Sequence, residues 1–302
     1  MTATTPPTAV LFPGQGSQRP GMREAVARFC PDLLERALDE LRADPFELLD
    51  RGTDYLQPAV YCASIAGWRR LHEEQPEAVR SEPRWSAPLR AVAGHSLGEL
   101  AALAAAGVMT EAEGLDLAIA RGRLMARAAT TGAPGAMLAV SGGLMVGGPL
   151  AELADLTIAN DNSPDQVVLS GAVGGVHLAM SEAKARGERT MRLPIRGAFH
   201  SPAMQPAVDE FRAVLSRIEV RPPRLCVYSC LTAKPFVDVR VQLVDGLTCC
   251  VKWRQTLLAL FAAGVGRFIE AGPGSVLTGL VRRTLGEDAE ALTLDRFATA
   301  HA

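Results

Sequence analysis

The chain has 302 residues, 48% hydrophobic and 21% charged, with a formal net charge of −2. That length fits one large domain or one domain with an insertion, and the composition excludes a disordered chain. The near-neutral balance offers no bulk attraction to nucleic acid or to an anionic membrane. The opening stretch MTATTPPTAVLF has no basic region and no long apolar core, so no signal peptide is expected. The apolar run LAALAAAGVM is too short to span a bilayer, and a cytoplasmic location is expected. Cys30, Cys62, Cys226, Cys230, Cys249 and Cys250 show neither a CxxC pair nor a Cys/His metal spacing. All six read as reduced, mostly buried, small apolar residues.

In chain order, short β-rich runs alternate with helical patterns, the signature of α/β architecture. AVLFPG (9–14) reads as a buried strand ending in a glycine-rich turn, followed by helices over about 22–42 and 56–74. RAVAG (90–94) is the next strand, with helices over about 97–106 and 111–130. Then the pattern changes. AMLAV (136–140) is a strand, SGGLMVGGP (141–149) a glycine-rich loop running into the short helix GGPLAELAD, and LTIAN and QVVLSG are strands about the turn DNSPD. VGGVHLAMSEAKARG is a helix and RTMRLPI a strand. That β-α-β-β-α-β order is the ferredoxin-like split unit. Residues 131–196 therefore read as an inserted small subdomain, with 1–130 and 197–302 forming the main one. After the insertion come a helix (SPAMQPAVDEFRAVLSRI), a strand (RLCVYSC), a helix (VKWRQTLLALFAAG), a strand (RFIEAG), a closing helix (SVLTGLVRRTLG) and a tail.

Gly94-His95-Ser96-Leu97-Gly98 stands between a strand and a helix, the context a nucleophile elbow needs. Glycines permit a turn too tight for side chains, which thrusts the Ser hydroxyl into the open. The bland alternative is Ser96 as a plain helix N-cap. The Leu97 N–H, at the helix start, is one candidate oxyanion donor. The loop PGQGSQ (13–18) lacks the Lys-Ser/Thr ending of a P-loop and is suited to supply a second donor, from Gln15.

A nucleophilic Ser needs a base. Of the five histidines, His301 lies in the tail, His72 beside an acidic helix end and His177 on the insertion's helix. His95 adjoins Ser96 on the turn, where its ring should point away. His200, on the loop that re-enters the main subdomain, is the candidate, and no acidic partner for it stands out. On a helical wheel Arg121 falls among Leu117, Ala118, Leu124, Met125 and Ala128, while Arg123 and Arg127 fall opposite with Asp116. An Arg on an apolar face is costly unless it meets an anion, either a structural carboxylate or a substrate's.

These motifs stand in order with QPA (57–59), NSPDQVVLSG (162–171), GAFHSP (197–202) and EAGPGSVLTGL (270–280). Together they closely resemble the malonyl-CoA:acyl carrier protein transacylases of fatty-acid and polyketide synthesis, from about residue 8 to about 287. The resemblance implies an α/β-hydrolase-like large subdomain with an inserted ferredoxin-like one. It implies Ser96 as nucleophile, His200 as base, and Gln15 and Leu97 as the oxyanion hole. It implies that a backbone carbonyl, at about Gly246, orients the His in place of an acid. Arg121 matches the family's carboxylate-binding Arg. Phe199 before the His resembles the malonyl-type version, and Gln57 and Asn160 lie in segments that support the site. The implied partners are a coenzyme A thioester and an acidic acyl carrier protein, with Lys184, Arg186, Arg189, Arg192, Arg282 and Arg283 as its candidate basic rim. No cofactor or metal is implied, nor any nucleic-acid or membrane partner, and a monomer suffices. Two features depart from the family: Cys250 stands where relatives usually have Pro, and 141–149 is unusually glycine-rich. An acyl-carrier hydrolase on the same fold, a transacylase acting on another acyl group or carrier, and a non-enzymatic docking protein are the alternatives.

Overall fold

The computed structural model describes residues 6–74 and 89–300. Strand β1 (Thr8–Phe12) is buried at every position, so it reads as a continuous apolar run with no alternation. It pairs in parallel with β2 (Leu89–Gly94) on one side and β9 (Arg267–Glu270) on the other. β7 (Cys226–Ser229) extends the sheet beyond β2, and β10 (Glu290–Thr293) extends it beyond β9, both in parallel. The short β8 (Lys234–Pro235) closes one edge antiparallel to β7.

The two faces of this sheet are sorted by the strand period of two. Val10, Phe12 and Val92 belong to one core with α1 (Met22–Phe29), α2 (Pro31–Leu41), α3 (Thr53–Glu73), α4 (Gly98–Ala105), α5 (Glu111–Ala129) and α8 (Gln205–Leu215). Ala9, Leu11, Ala91 and Ala93 belong to the other, with α10 (Trp253–Ala262) and α11 (Val276–Leu285). α4 is buried from Gly98 to Ala104, which is why its sequence is apolar on all sides but for Glu99. α5 starts at a full capping box between Thr110 and Glu113.

A second sheet is antiparallel, in the order β4 (Thr157–Ser163), β5 (Gln166–Ala172), β3 (Gly135–Ser141), β6 (Thr190–Arg192). Helix α6 (Gly143–Leu153) joins β3 to β4, and α7 (Val173–Ala185) joins β5 to β6. Ala136, Leu138, Val140, Val167 and Leu169 pack beneath these helices, while Met137, Ala139, Ala159 and Val168 on the opposite face continue the main core. The fold is α/β: an α/β-hydrolase-like large subdomain carrying a ferredoxin-like small one.

Four elements differ from the sequence reading. The helix expected over 22–42 is two, because Pro31 starts a new helix after Cys30 leaves helical geometry (φ −148°, ψ 61°). The segment expected as a glycine-rich loop (141–149) is mostly helix, since Gly142 and Gly143 make the turn at positive φ and α6 begins at once. The tail is not a tail: β10 joins the sheet edge and α12 (Leu294–Ala300) follows, with Leu294 and Phe297 in the core. The helix α9 (Val239–Asp245) was not expected; it starts at Asp238, whose side chain accepts from the Val241 N–H. The cysteines split evenly. Cys30, Cys62 and Cys230 are buried, but Cys226 and Cys249 are exposed and Cys250 is half-buried. His72 is in the last turn of α3, as expected, but half-buried against the Trp68 ring, 4.2 Å between centroids. His301 lies outside the described residues.

β1 and the elbow touch with no room for side chains. A Cβ on Gly98 would lie 2.0 Å from the Phe12 carbonyl oxygen, and one on Gly94 1.9 Å from the Gly98 carbonyl carbon. Both obstacles are backbone and cannot swing aside. Gly98→Ala is therefore expected to cost more than about 3 kcal/mol of stability. Chemical denaturation measures this, and an unchanged midpoint would show that the β1–α4 contact can open without loss.

Candidate active site

The turn between β2 and α4 places Ser96 at φ 54°, a left-handed conformation rare for a residue with a side chain. The His95 N–H donates to the Phe12 carbonyl at 3.0 Å and the Gly98 N–H to the His95 carbonyl at 3.0 Å, which ties the turn to β1. The structure thus places Ser96 on an elbow and not on a simple cap: its Oγ lies 2.7 Å from His200 Nε2. Leu97 is buried with helical φ and ψ at the mouth of α4, where backbone N–H groups have no intrahelical partner.

His200 shares the same unusual backbone, with φ 56°. It stands just before the short 3-10 turn Pro202–Met204, which Ser201 caps by accepting from the Ala203 N–H. Its Nδ1 lies 2.8 Å from the Gly246 carbonyl oxygen. A carbonyl can only accept, so Nδ1 carries the proton and Nε2 is left as the acceptor facing the Ser96 hydroxyl. Burial first, and the Arg121 charge second, push the His200 pKa down to about 3. The imidazole is therefore neutral, and available as a base, throughout the physiological range. Cys250, the departure noted in the sequence, leaves the Gly246 carbonyl within reach of the ring.

Arg121 is buried, and burial pulls its pKa down to about 10, which leaves it charged at neutral pH. Its bonds go to two neutral oxygens: Nη1 donates to Gln57 Oε1 at 2.9 Å and Nη2 to Ser96 Oγ at 3.1 Å. Gln57 Nε2 donates onward to Thr53 Oγ1 at 2.9 Å, and Thr53 Oγ1 to Gln15 Oε1 at 3.0 Å. One chain of side chains thus connects the oxyanion candidate Gln15, Gln57, Arg121, Ser96 and His200. Thr53 is a link that sequence reasoning missed; a Thr four residues before a buried Gln on a helix was the only available signal.

Ser96, Arg121, His200 and Gly246 line one narrow cavity with Glu99, Leu100, Cys230, Leu231, Leu243, Cys249 and Cys250. Phe199 is not at this lining. It is buried in the main core beside Gly197, where a Cβ would meet its ring at 2.7 Å. Asn160 also stands back from it, with Nδ2 3.5 Å from His95 Nε2. His95 is held the other way by Asn162 Oδ1 at 2.9 Å and packs edge-on against Trp253, centroids 5.3 Å apart. Glu99, in the cavity wall, was given no role from the sequence, although a lone acid in an otherwise apolar buried helix marks it.

Among the described residues there is no cluster suited to a metal ion and no helix long and apolar enough to cross a membrane. The acyl transferase domain family matches residues 83–296. The chain is 33% identical to the malonyl CoA-acyl carrier protein transacylase of Haemophilus influenzae, over 97% of each chain. It is 36% identical to the spectinabilin polyketide synthase system protein NorB of Streptomyces orinoci over 95% of its own length, but spans only 14% of that protein. The crystal structure of malonyl-CoA:acyl carrier protein transacylase from Xanthomonas oryzae is similar at a TM-score of 0.85 and 31% identity, covering 98% of both chains. A type II polyketide synthase acyl-carrier protein in complex with its malonyl-transacylase contains a chain similar at 0.80 and 33%, covering 95% of this chain and 94% of that one. An elbow serine on a neutral histidine, matched over nearly the whole chain, places this protein in the acyl transferase family that includes the malonyl CoA-acyl carrier protein transacylases.

Proposed function

We propose that this chain moves a malonyl group from malonyl-CoA, through a Ser96 acyl-enzyme, to the phosphopantetheine thiol of an acyl carrier protein in fatty-acid or polyketide synthesis. The observation that carries the reading is Arg121: a buried cation beside the nucleophile whose hydrogen bonds, among the described residues, engage two neutral oxygens and no carboxylate. An acyl group ending in a carboxylate can take the guanidinium fork as a charged partner, and acetyl cannot.

His200 Nε2 takes the Ser96 proton as Oγ attacks the thioester carbonyl. The oxyanion forms against the Gln15 and Leu97 N–H groups. Its collapse expels the coenzyme A thiolate, which leaves with the proton from His200. In the second half the carrier thiol gives its proton to His200 and attacks the ester, and Ser96 recovers the proton on leaving. No step calls for a cofactor or metal. The acyl carboxylate takes the Arg121 fork, and the Gln57–Thr53–Gln15 chain holds that fork in register with the oxyanion hole. Gln57 is a positioning residue in this scheme; Asn160 stands further back, on β4 beside the Val251 backbone. Phe199, buried in the main core beside Gly197, anchors the segment that carries the base.

Lys184, Arg186, Arg189, Arg192, Arg282 and Arg283 are all exposed, as a rim for an acidic carrier requires. Arg186 lies 3.8 Å from Glu182, and Arg282 donates to the Ala291 carbonyl. The remaining four are the freer cations of the set. The scheme needs only a single copy of the chain.

A time course with malonyl-CoA and holo-acyl carrier protein tests the reading. Malonyl-carrier accumulating faster than free malonate supports transfer, and malonate without loaded carrier points to the hydrolase. Ser96→Ala should leave no covalent adduct by intact mass, and an undiminished adduct would move the nucleophile elsewhere. Arg121→Ala should lower the preference for malonyl over acetyl by about 2–4 kcal/mol, the scale of a buried charge pair left unmade. Because His200 is already neutral well below its ordinary pKa, acylation by acetyl-CoA should show no inflection near pH 6.5. Activity instead persists as the pH falls until the fold is lost or the depressed pKa is reached, and a half-maximal rate near 6.5 would contradict this environment.

A further inference from the structure

Glu99 follows the nucleophile by three residues, in the first turn of α4. Its carboxyl lines the cavity with Ser96, Arg121 and His200. Oε1 accepts from the Cys230 backbone N–H at 2.7 Å. That N–H, the neutral hydroxyl of Ser229 and thiol of Cys230, and a helix start are modest compensation for a carboxylate withdrawn from water. The groups that face it are Arg121 from α5, Ser229 and Cys230 at the end of β7, Ser96 on the elbow, His200, and Cys249 and Cys250 beyond α9. Of these, Arg121 alone supplies positive charge at neutral pH. His200 is held neutral, and burial pushes the Cys230 and Cys250 thiols up. Arg121, in turn, has Glu99 as the foremost anion supporting its charge. Their hydrogen bonds nevertheless go elsewhere, Arg121 to Gln57 and Ser96 and Glu99 to Cys230. The cavity therefore holds a cation and a carboxyl in balance, with the fork of the cation still open to a second carboxylate.

A second carboxylate upsets that balance. One guanidinium against two carboxylates leaves net negative charge buried in the cavity, and the cheapest relief is a proton on one of them. We propose that Glu99 is the resident counter-ion of Arg121 and takes up a proton from solvent as the acyl carboxylate binds, so that selection for carboxylate-bearing acyl groups weakens in alkaline solution. The inference rests on Arg121 receiving the acyl carboxylate. Burial raises the Glu99 pKa to about 7, so the proton exchanges in the accessible range. The sign follows directly. Below that value Glu99 is already protonated and the carboxylate enters at no further cost. Above it each pH unit lowers the protonated fraction about tenfold, and the selection falls with it. Acetyl brings no charge and leaves the Arg121–Glu99 balance as it was.

The test is the ratio of kcat/KM for Ser96 acylation by malonyl-CoA to that by acetyl-CoA, from pH 6 to 8.5, below the range in which Arg121 loses its charge. The ratio cancels ionisations of His200, Ser96 and the coenzyme A moiety common to both thioesters, and kcat/KM reports the free enzyme. In the wild-type chain it should be flat below about pH 7 and fall about tenfold per unit above it. In Glu99→Gln, which keeps an acceptor for the Cys230 N–H, it should be flat throughout. A wild-type ratio that favours malonyl equally at every pH overturns the proposal, even if the variant does not fold. So does a slope that survives in Glu99→Gln, since another group would then be titrating. A ratio near unity at all pH values would instead sink the carboxylate role of Arg121, and no adduct from either thioester would sink the acyltransferase reading itself.

Discussion

The site is organised around a buried positive charge that no hydrogen bond neutralises. Arg121 projects from α5 into a cavity walled by α4, β7 and the loop after α9, and its partners are an amide oxygen and a hydroxyl. Removing a guanidinium from water is costly, and oxygens of neutral groups recover only part of that cost. The charge in turn shapes its neighbours. It adds to burial in keeping His200 unprotonated, and it opposes burial at Glu99. A neutral imidazole at His200 and a carboxyl poised near neutrality at Glu99 are thus set first by burial, with the one cation reinforcing it at His200 and opposing it at Glu99.

The second constraint is the backbone. Ser96 and His200 both stand at positive φ, a strain of about 1–3 kcal/mol each. The strain at Ser96 is held by the β1 contact, where only glycine fits at positions 94 and 98. The strain at His200 is held from the other side, by the Gly246 carbonyl on the ring and the Ser201 cap below it. Ser96 and His200 are carried on separate segments, so neither can relax without losing the 2.7 Å contact between them.

Much of this was legible in the sequence, for identifiable reasons. The elbow was legible because its glycines and its strand–helix context are local. Arg121 was legible because a helix wheel puts it on the wrong face for a solvated charge. The carbonyl on His200 had no local signal; only the family resemblance pointed to Gly246, and the missing acid was the one trace it left. Glu99 and Thr53 went unassigned because their partners lie far off in the chain, at Cys230 and Gln15. The segment 141–149 was misread because glycine is a poor helix former, yet Gly142 and Gly143 are used for the turn and packing under α6 carries the rest. The end of the chain was misread because β10 gains its partner only from β9.

Besides the side chains of β3 and β5 that continue the main core, the inserted subdomain meets the Ser96–His200 site through β4. β4 is the edge of the small sheet, and the Val251 backbone adds to it: Val251 N–H donates to the Ala159 carbonyl at 2.8 Å and Asp161 N–H to the Val251 carbonyl at 2.9 Å. The buried Asp161 carboxylate accepts a fork from Arg254 and a further bond from Gln255, both on α10. One residue further on, Asn162 reaches the elbow histidine His95. Val251 itself follows the loop that carries the Gly246 carbonyl and the two cavity cysteines. The small subdomain thus contacts both sides of the Ser96–His200 pair, His95 on one side and Val251 on the other. The insertion is part of the frame of this pair, because the loop whose carbonyl meets His200 Nδ1 has β4 as its anchor.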